Sequence, residues 1–220
     1  PMTRIEGHLA IEVTIDTVGG VQKIVDAKSN GTVFRGFENI LSGRDPLDAP
    51  HLTQRICGVC PISHGMASSL TLEAALGVTP PDNGRILRNL VLGANYIQSH
   101  ILHFYHLAAF DYIDTTDILD ISPWWPQYAT PDMLKGTIVQ TLVQHYVKAL
   151  EMRRKAHQMG AIFGGKLPCS PVFVPGGCTH IPTAQNITDF RALLTELQTF
   201  IDGTYLPDVL AVAGAFPQYY

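Results

Sequence analysis

The longest helical pattern in the chain runs from Asp82 to Ile121. This stretch contains no proline and only two glycines, and its apolar residues recur at helical spacing. One continuous helix of this length would span roughly 60 Å at 1.5 Å per residue, which is too long for an ordinary globular helix without a kink. We therefore expect a helix-dominated fold in which this stretch bends or breaks.

Helical patterns cover other parts of the chain as well. They are strongest over Ile62–Leu76, which Gly77 and the prolines that follow bring to an end. Further helix candidates are residues 37–41, 46–53, 131–159 and 189–202. Gly164–Pro182 is rich in glycine and proline and predicts a loop with short strand pieces.

The N-terminal segment has the pattern of a small antiparallel sheet. Leu9–Asp16 largely alternates apolar and polar residues, and Val21–Ala27 returns as a second strand after the turn at Gly19-Gly20. Asn30-Gly31 predicts another turn, followed by a third short strand at Thr32–Arg35. The predicted fold class is therefore mainly α with a small antiparallel β-sheet at the N-terminus, an α+β arrangement.

The same patterns predict the organisation of the chain. We expect a small β-sheet region at residues 1–35 and a helical body at residues 36–220. Hydrophobic residues make up 46% of the chain and charged residues 15%, against a usual charged share of about 25%. We expect a partner or further sequence to cover much of this surface. The net charge of −4 gives no reason to expect nucleic acid as a partner.

Residues 55–64 carry the most chemically informative run, RICGVCPISH. Cys57 and Cys60 are spaced as CxxC, and Pro61 suits the first position of a helix. Cys60 is thus expected at a helix N-terminus, where backbone N–H groups and the helix dipole favour a thiolate. His64 follows four residues later on the same helix face, so its imidazole N–H is expected to point at the Cys60 sulfur.

Spacing alone leaves three uses open for this cysteine pair: a redox dithiol, half of a zinc site or a soft-metal site. A thioredoxin-like motif would follow a buried strand, but residues 46–56 are polar and proline-flanked. A structural zinc site needs four ligands, and Cys169 and Cys178 form no second CxxC. The pattern by itself favours neither a metal site nor a redox or structural use.

A resemblance to a known family favours the metal site. The run Arg-x-Cys-Gly-x-Cys-x-x-x-His resembles the signature that opens the active site in large subunits of nickel–iron hydrogenases. The resemblance covers essentially all 220 residues and implies a long-helix bundle that cleaves molecular hydrogen reversibly to protons and electrons. Other segments resemble landmarks of this family in the expected order: TRIEGHL at 3–9, FRGFE at 34–38, GRDP at 43–46, RNL at 88–90, HFYH at 103–106 and FGGK at 163–166.

The resemblance covers only part of the family's protein. Such large subunits are more than twice this long and end with a second motif, Asp-Pro-Cys-x-x-Cys-x-x-His, or its version with selenocysteine, which this chain lacks. We therefore expect the N-terminal portion of a large subunit, whose C-terminal part supplies the second Cys/Sec-x-x-Cys pair. The resemblance also implies a small subunit whose iron–sulfur clusters carry electrons.

The resemblance implies roles for three residues at the metal centre. Cys57 is similar to a terminal nickel ligand, and Cys60 is similar to a thiolate that bridges nickel and iron. The iron of this family also carries carbonyl and cyanide ligands. His64 resembles a histidine that donates a hydrogen bond to the bridging sulfur; without the motif, it would be interpreted as a solvated residue in the first turn of a helix.

Two glutamates also match residues with roles in the family. Glu6 resembles the glutamate that passes protons to and from the metal site. Such a relay is needed because heterolytic cleavage releases a proton that must leave. Glu38 is similar to a glutamate that helps bind a separate magnesium or iron ion, since a carboxylate oxygen suits a hard cation. A lone glutamate is more often a surface residue, and at a helix start it also stabilises the dipole.

The sequence departs from the usual family pattern in one place near the site. Many members carry His-Asp-His where this chain has Gln98-Ser99-His100, and in those members the Asp lies near the active site. We therefore expect its contribution to be missing here. The serine version resembles the nickel–iron–selenium branch of the family.

Other histidines and cysteines are not assigned to the site. His100, His103 and His106 fall three residues apart, and we expect them on packed helix faces rather than on a metal, because three ligands need convergent geometry. Cys169 and Cys178 are expected to be free structural thiols, with a loop-closing disulfide as the alternative.

The alternative function is a non-catalytic homologue that acts as a structural or quinone-side subunit of a respiratory complex. The retained Cys57, Cys60 and His64 favour the enzyme. For its location, the resemblance implies a periplasmic protein or one held at the membrane by an exported partner, with a cytoplasmic location as the alternative.

Overall fold

The computed structural model of the protein describes residues 7–116 and 129–219. The chain forms two compact units, Pro1–Ser42 and Gly43–Tyr220. The described part is mostly helical and carries a small antiparallel hairpin in its first unit, so the predicted fold class is confirmed.

The first unit is built on a two-stranded antiparallel hairpin of β1 (Leu9–Val18) and β2 (Val21–Gly31). Val18 pairs with Val21, so the connection is a two-residue turn. Gly19 and Gly20 have φ of 63° and 80°, a pairing of positive angles that matches the right-handed strand twist and that glycine adopts without strain. The turn predicted from the sequence is confirmed.

The predicted third strand is wrong. Asn30 and Gly31 continue β2 and pair with Ala10 and Leu9, so the turn expected there does not form. Residues 32–36 have no regular structure, and α1 (Phe37–Leu41) follows. The Asn-Gly turn preference loses because β1 extends far enough to offer both residues a partner.

The second unit begins with short helical turns that lead to the CxxC run. A 3₁₀ turn at Pro46–Asp48 is capped by the Asp45 side chain, which accepts a hydrogen bond from the Leu47 N–H. It leads into α2 (Ala49–Thr53), and α3 (Pro61–Leu76) ends at Gly77 in the left-handed conformation with φ of 66°. These helices follow the sequence prediction closely.

The long helical stretch that begins at Asp82 changes geometry, as its length predicted. α4 (Asp82–Ile101) passes into a π-helical segment at Leu102–Ala108 and then a 3₁₀ turn that ends at Asp111. The Asp114 carboxylate accepts hydrogen bonds from the N–H and hydroxyl of Thr116, a local turn that competes with helix. Residues 117–121 of the predicted stretch lie outside the described residues.

The second long helix, α5 (Thr137–Gly164), starts later and ends later than predicted. Residues before it form a turn in which the Met133 N–H donates to the Thr130 carbonyl, and Gly136 has a φ of 84°. The helical pattern read from Pro131 thus included residues whose backbone is already committed to a turn. The following loop carries the predicted strand pieces, β3 (Phe173–Val174) and β4 (Gly177–Cys178).

The C-terminal helices were only partly predicted. α6 (Ala184–Phe200) begins earlier than expected because Thr183 and Asn186 form a capping box. A π-helical segment at Ile201–Tyr205 then leads into α7 (Leu206–Ala215), which the sequence analysis missed. Pro207 is compatible with α7 because it stands in the first turn of that helix.

The core of the second unit lies between α3, α4, α5 and α6. One stripe of α4 is buried at helical spacing, and aromatic and aliphatic side chains from the other helices pack against it. The core includes Ile62, Val91, Ala149, Met159, Phe163, Phe173 and Leu197. Within the described ranges, none of the helices combines the length and apolar content needed to cross a bilayer.

A buried ion pair joins α3 to α4. Arg88 donates to both carboxylate oxygens of Glu73, at 2.8 and 3.2 Å, and the two residues are 1% and 5% exposed. The Gly176 N–H donates to the same carboxylate at 2.9 Å and ties in the loop between β3 and β4. Both charges are removed from water. Loss of either residue would therefore leave the other buried without its counter-charge and would strongly destabilise the fold.

We predict that Arg88→Met lowers the free energy of unfolding of the second unit by about 3–5 kcal/mol, because the Glu73 carboxylate stays buried without its counter-charge. Denaturation curves measure the change. Arg85→Met is the matched control on the same helix, since Arg85 pairs with Asp82 in the exposed region and should change stability little. Equal losses in the two variants would contradict the role of the buried pair.

Candidate metal centre

Local backbone geometry brings the two cysteines of the CxxC run together. A 3₁₀ turn at Gln54–Ile56 ends at Cys57, which is extended with φ −140° and ψ 128°. Cys60 is the N-cap residue of α3, and Pro61 occupies the first turn of that helix. The Cys60 N–H lies 3.1 Å from the Cys57 sulfur and donates to it. The predicted position of Cys60 at a helix N-terminus is confirmed.

His64 completes a three-residue group. It lies in the first turn of α3, where its backbone N–H donates to the Cys60 carbonyl at 3.4 Å. One ligand atom each from Cys57, Cys60 and His64 can be chosen so that all three lie within 4.8 Å of one another. Across the described ranges, this is the one group of three or more His, Cys, Asp or Glu side chains close enough to hold a metal ion.

The electrostatic setting suits a soft metal. Burial lowers the pKa of His64, so its imidazole is neutral at neutral pH and offers either an N–H donor or a ligand nitrogen. The helix N-terminus at Cys60 favours the thiolate form of cysteine. Two thiolates and a neutral imidazole are donors that fit nickel, iron or zinc rather than magnesium or calcium.

Buried polar contacts anchor the segment that leads into the site. The Gln54 side chain is 0% exposed, and its amide donates to the carbonyls of Pro50 and Ser170 at 2.8 and 2.9 Å. A Cβ at Gly65 would lie 3.0 Å from the Gln54 side chain, so glycine there lets α3 approach it closely. These contacts hold the backbone just before Cys57 in place.

A second buried glutamine contacts the site loop itself. Gln98, on α4, is 0% exposed and donates its amide N–H to the Val59 carbonyl at 2.6 Å. Neither glutamine was predicted from the sequence. For Gln98 a signal existed, because it stands at the position where the family pattern is interrupted, but only the loss of the neighbouring Asp was drawn from it.

The two candidate glutamates were expected in different places, Glu6 as the proton relay of the metal centre and Glu38 at a separate magnesium or iron ion. Glu38 lies in the first turn of α1, in the first unit, and is exposed. Glu6 falls outside the described residues. The structure therefore brings together three of the five candidate site residues, Cys57, Cys60 and His64.

The three histidines at i, i+3 and i+6 do not converge. His100 and His103 are exposed, whereas His106 packs edge-on against the Tyr146 ring at 4.5 Å between centroids. The expected packed face is therefore correct for His106 alone. Cys169 and Cys178 are free thiols, and burial raises the pKa of Cys178, which disfavours its thiolate form.

The helical body and the paired thiols at a helix N-terminus have the architecture of a protein that binds a soft metal through thiolates. Comparison with known families narrows that class. The profile of the family described as nickel-dependent hydrogenase matches residues 35–127 and 121–220, and a family described as HoxL-like matches residues 1–24. The chain belongs to the nickel-dependent hydrogenase family.

Individual relatives agree with the family match. The chain is 47% identical to the periplasmic NiFeSe hydrogenase large subunit of Desulfomicrobium baculatum, over 98% of this chain and 42% of that protein. It is 35% identical to the quinone-reactive Ni/Fe-hydrogenase large chain of Wolinella succinogenes, over 98% of this chain and 45% of that one. The chain thus spans less than half the length of these relatives.

Solved structures show the same relationship. The NiFeSe hydrogenase of D. vulgaris Hildenborough in its as-isolated oxidised state superposes with a TM-score of 0.89 at 44% identity, over 99% of this chain and 44% of that one. The Dm. baculatum NiFeSe hydrogenase superposes with a TM-score of 0.88 at 46% identity, over 99% of this chain and 45% of that one. The described fold is therefore that of part of a hydrogenase large subunit.

We predict that Cys57→Ser in the assembled protein abolishes tight nickel binding, because a neutral hydroxyl replaces a soft thiolate donor. Elemental analysis of purified protein measures the metal. Cys178→Ser is the matched control, since this half-buried thiol lies outside the three-residue group and should leave nickel content unchanged. Full nickel content in Cys57→Ser would contradict the assignment of this cysteine as a ligand.

Proposed function

We propose that this chain is part of a hydrogenase that catalyses the reversible heterolytic cleavage of molecular hydrogen to protons and electrons at a nickel–iron centre. The observation that carries the proposal is the group formed by Cys57, Cys60 and His64, whose ligand atoms lie within 4.8 Å of one another. The family match supports the choice of nickel among the soft metals that these donors fit.

The proposed roles of the cysteines follow from the resemblance of the CxxC run to the family's signature. When bound, the centre supplies the Lewis acidity and redox capacity that hydrogen cleavage needs. Cys57 would be a terminal nickel ligand, and Cys60 would bridge nickel and iron, with carbonyl and cyanide completing the iron coordination. The hydrogen bond from the Cys60 N–H to the Cys57 sulfur supports the proposal that the loop holds both sulfurs on one side.

His64 is proposed to orient and tune the bridging thiolate. An N–H donor near the sulfur of Cys60 withdraws electron density from it and fixes its direction. The helix supports this role, since His64 lies one turn after Cys60 on the same face of α3. His64 would thereby act through Cys60 rather than on hydrogen itself.

Glu6 is proposed as the group that accepts and passes on the proton released by cleavage. A carboxylate close to the reacting atoms is suited to this task, because its pKa is readily adjusted by its surroundings. Glu38 is proposed to help bind a separate magnesium or iron ion, since its carboxylate oxygen is a hard ligand. Its exposed position on α1 leaves the carboxylate accessible.

The remaining ligands and the electron exit are proposed to come from outside these residues. Two thiolates are half of the expected set, and the relatives are more than twice as long, so the rest of the large subunit would supply a second Cys/Sec-x-x-Cys pair. An iron–sulfur small subunit would carry the electrons. Apolar side chains such as Ile181 and Leu210 are 86% and 70% exposed. Their exposure supports the proposal that other parts of the assembly cover much of this surface.

A periplasmic location, or attachment to the membrane through an exported partner, is proposed by analogy with the relative named as periplasmic. The non-catalytic alternative has less support, because the relatives are named as hydrogenases and both cysteines of the CxxC pair are retained.

The test of the proposed function is hydrogen–deuterium exchange by the complete, nickel-loaded enzyme. We expect exchange in the unsubstituted protein and a fall of about 10²-fold or more in Glu6→Gln, which keeps the side-chain shape but removes the titratable group. Nickel content should be unchanged in the variant.

Glu12→Gln is the control, because Glu12 is an exposed glutamate on β1. The variant enzyme should catalyse hydrogen–deuterium exchange at the unsubstituted rate. Near-normal exchange in nickel-loaded Glu6→Gln would show that protons leave by another route. A nickel-loaded enzyme without any exchange activity would contradict the proposed function as a whole.

A further inference from the structure

The loop between the two candidate ligands is held from outside by one side chain. Val59 lies between Cys57 and Cys60, and its carbonyl accepts a 2.6 Å hydrogen bond from the amide of Gln98 on α4. Gln98 is 0% exposed, so water does not compete for this contact. A short bond to the Val59 carbonyl restrains the plane of the peptide that joins Val59 to Cys60.

The orientation of the Gln98 amide is determined by its two neighbours. The Val59 carbonyl only accepts hydrogen bonds, so the NH₂ end of the amide must face it. At the other end, the Arg153 guanidinium lies 3.5 Å from the Gln98 oxygen, and a guanidinium only donates. Both partners therefore demand the same amide orientation, and Arg153 on α5 holds Gln98 in the direction that serves the loop.

Two anchors fix α3 and its preceding loop against α4. The buried Arg88–Glu73 pair fixes the C-terminal part of α3, and Gln98 fixes the loop just before the N-terminus of α3. Arg88 and Gln98 are separated on α4 by about 15 Å at 1.5 Å per residue. Because the ion pair is distant from the cysteines, the Gln98 contact is the one of these two anchors that acts on the loop itself, alongside the contacts that Gln54 makes just before Cys57.

We infer that Gln98 is a positioning residue for the metal centre, holding the Val59 peptide so that the sulfurs of Cys57 and Cys60 keep the geometry needed to share a metal. The inference rests on the proposed function. It assigns Gln98 an action through the backbone, with no contact to metal or substrate. Residues that orient ligands in this way typically affect metal affinity about 10- to 100-fold.

The test uses the complete enzyme carrying Gln98→Met, which keeps the side-chain length but removes the N–H donor. We expect nickel release to a chelator to accelerate by about 10- to 100-fold. We also expect the infrared bands of the iron-bound carbonyl and cyanide to shift, because the bridging thiolate moves. Tyr105→Phe is the matched control. Tyr105 lies on the helical stretch that continues α4, and the substitution removes its buried 2.6 Å hydrogen bond to Asp208 of α7, away from the loop.

Two further variants keep the test decisive if Gln98→Met folds poorly. Gln98→Glu retains the shape, and the Arg153 guanidinium beside it favours an ionised carboxylate that accepts but cannot donate to Val59. This variant should therefore show the same faster release and shifted bands. Gln98→His restores an N–H donor and should recover slow release. Unchanged release and bands in Gln98→Met or Gln98→Glu would overturn the inference while leaving the proposed function intact, whereas an unsubstituted enzyme without nickel would overturn the proposed function.

Discussion

The structure of the candidate site depends on how α3 is held against α4. The buried Arg88–Glu73 pair fixes one part of α3, and because both charges are paired and the Gly176 N–H satisfies the carboxylate further, this contact has one well-defined geometry. The rigid helix then carries that position to its N-terminus, where Cys60 and His64 lie one turn apart. Ligand placement is thus a consequence of helix packing, and the loop needs only local contacts to complete it.

Those local contacts come from buried glutamines. Gln54 holds the backbone just before Cys57 through two carbonyls, and Gln98 holds the peptide between the cysteines. A neutral amide suits this task because it donates strongly without adding a charge beside the metal. Contacts made by the protein itself thus help to hold the two cysteines in position.

Short-range sequence signals predicted the parts of the fold that local rules control. The Gly19-Gly20 turn, the start of α3 at Pro61 and the cysteine–histidine group all follow from residues within a few positions of one another. The errors have a tertiary or competing local cause. β2 continues through Asn30 because β1 offers it a partner, and α7 follows α6 directly through the π-helical segment at Ile201–Tyr205. Gln98 was missed because its role depends on a contact 39 positions away in sequence.

We propose that Cys57 and Cys60 together hold the nickel of a hydrogenase. The most direct measurement is an anomalous difference map, collected at the nickel absorption edge, from crystals of the assembled enzyme. We expect one strong peak within bonding distance of the sulfurs of both Cys57 and Cys60, with further thiolate or selenolate ligands from the remainder of the large subunit. A nickel peak bound elsewhere, or a metal other than nickel or iron between these two sulfurs, would contradict it.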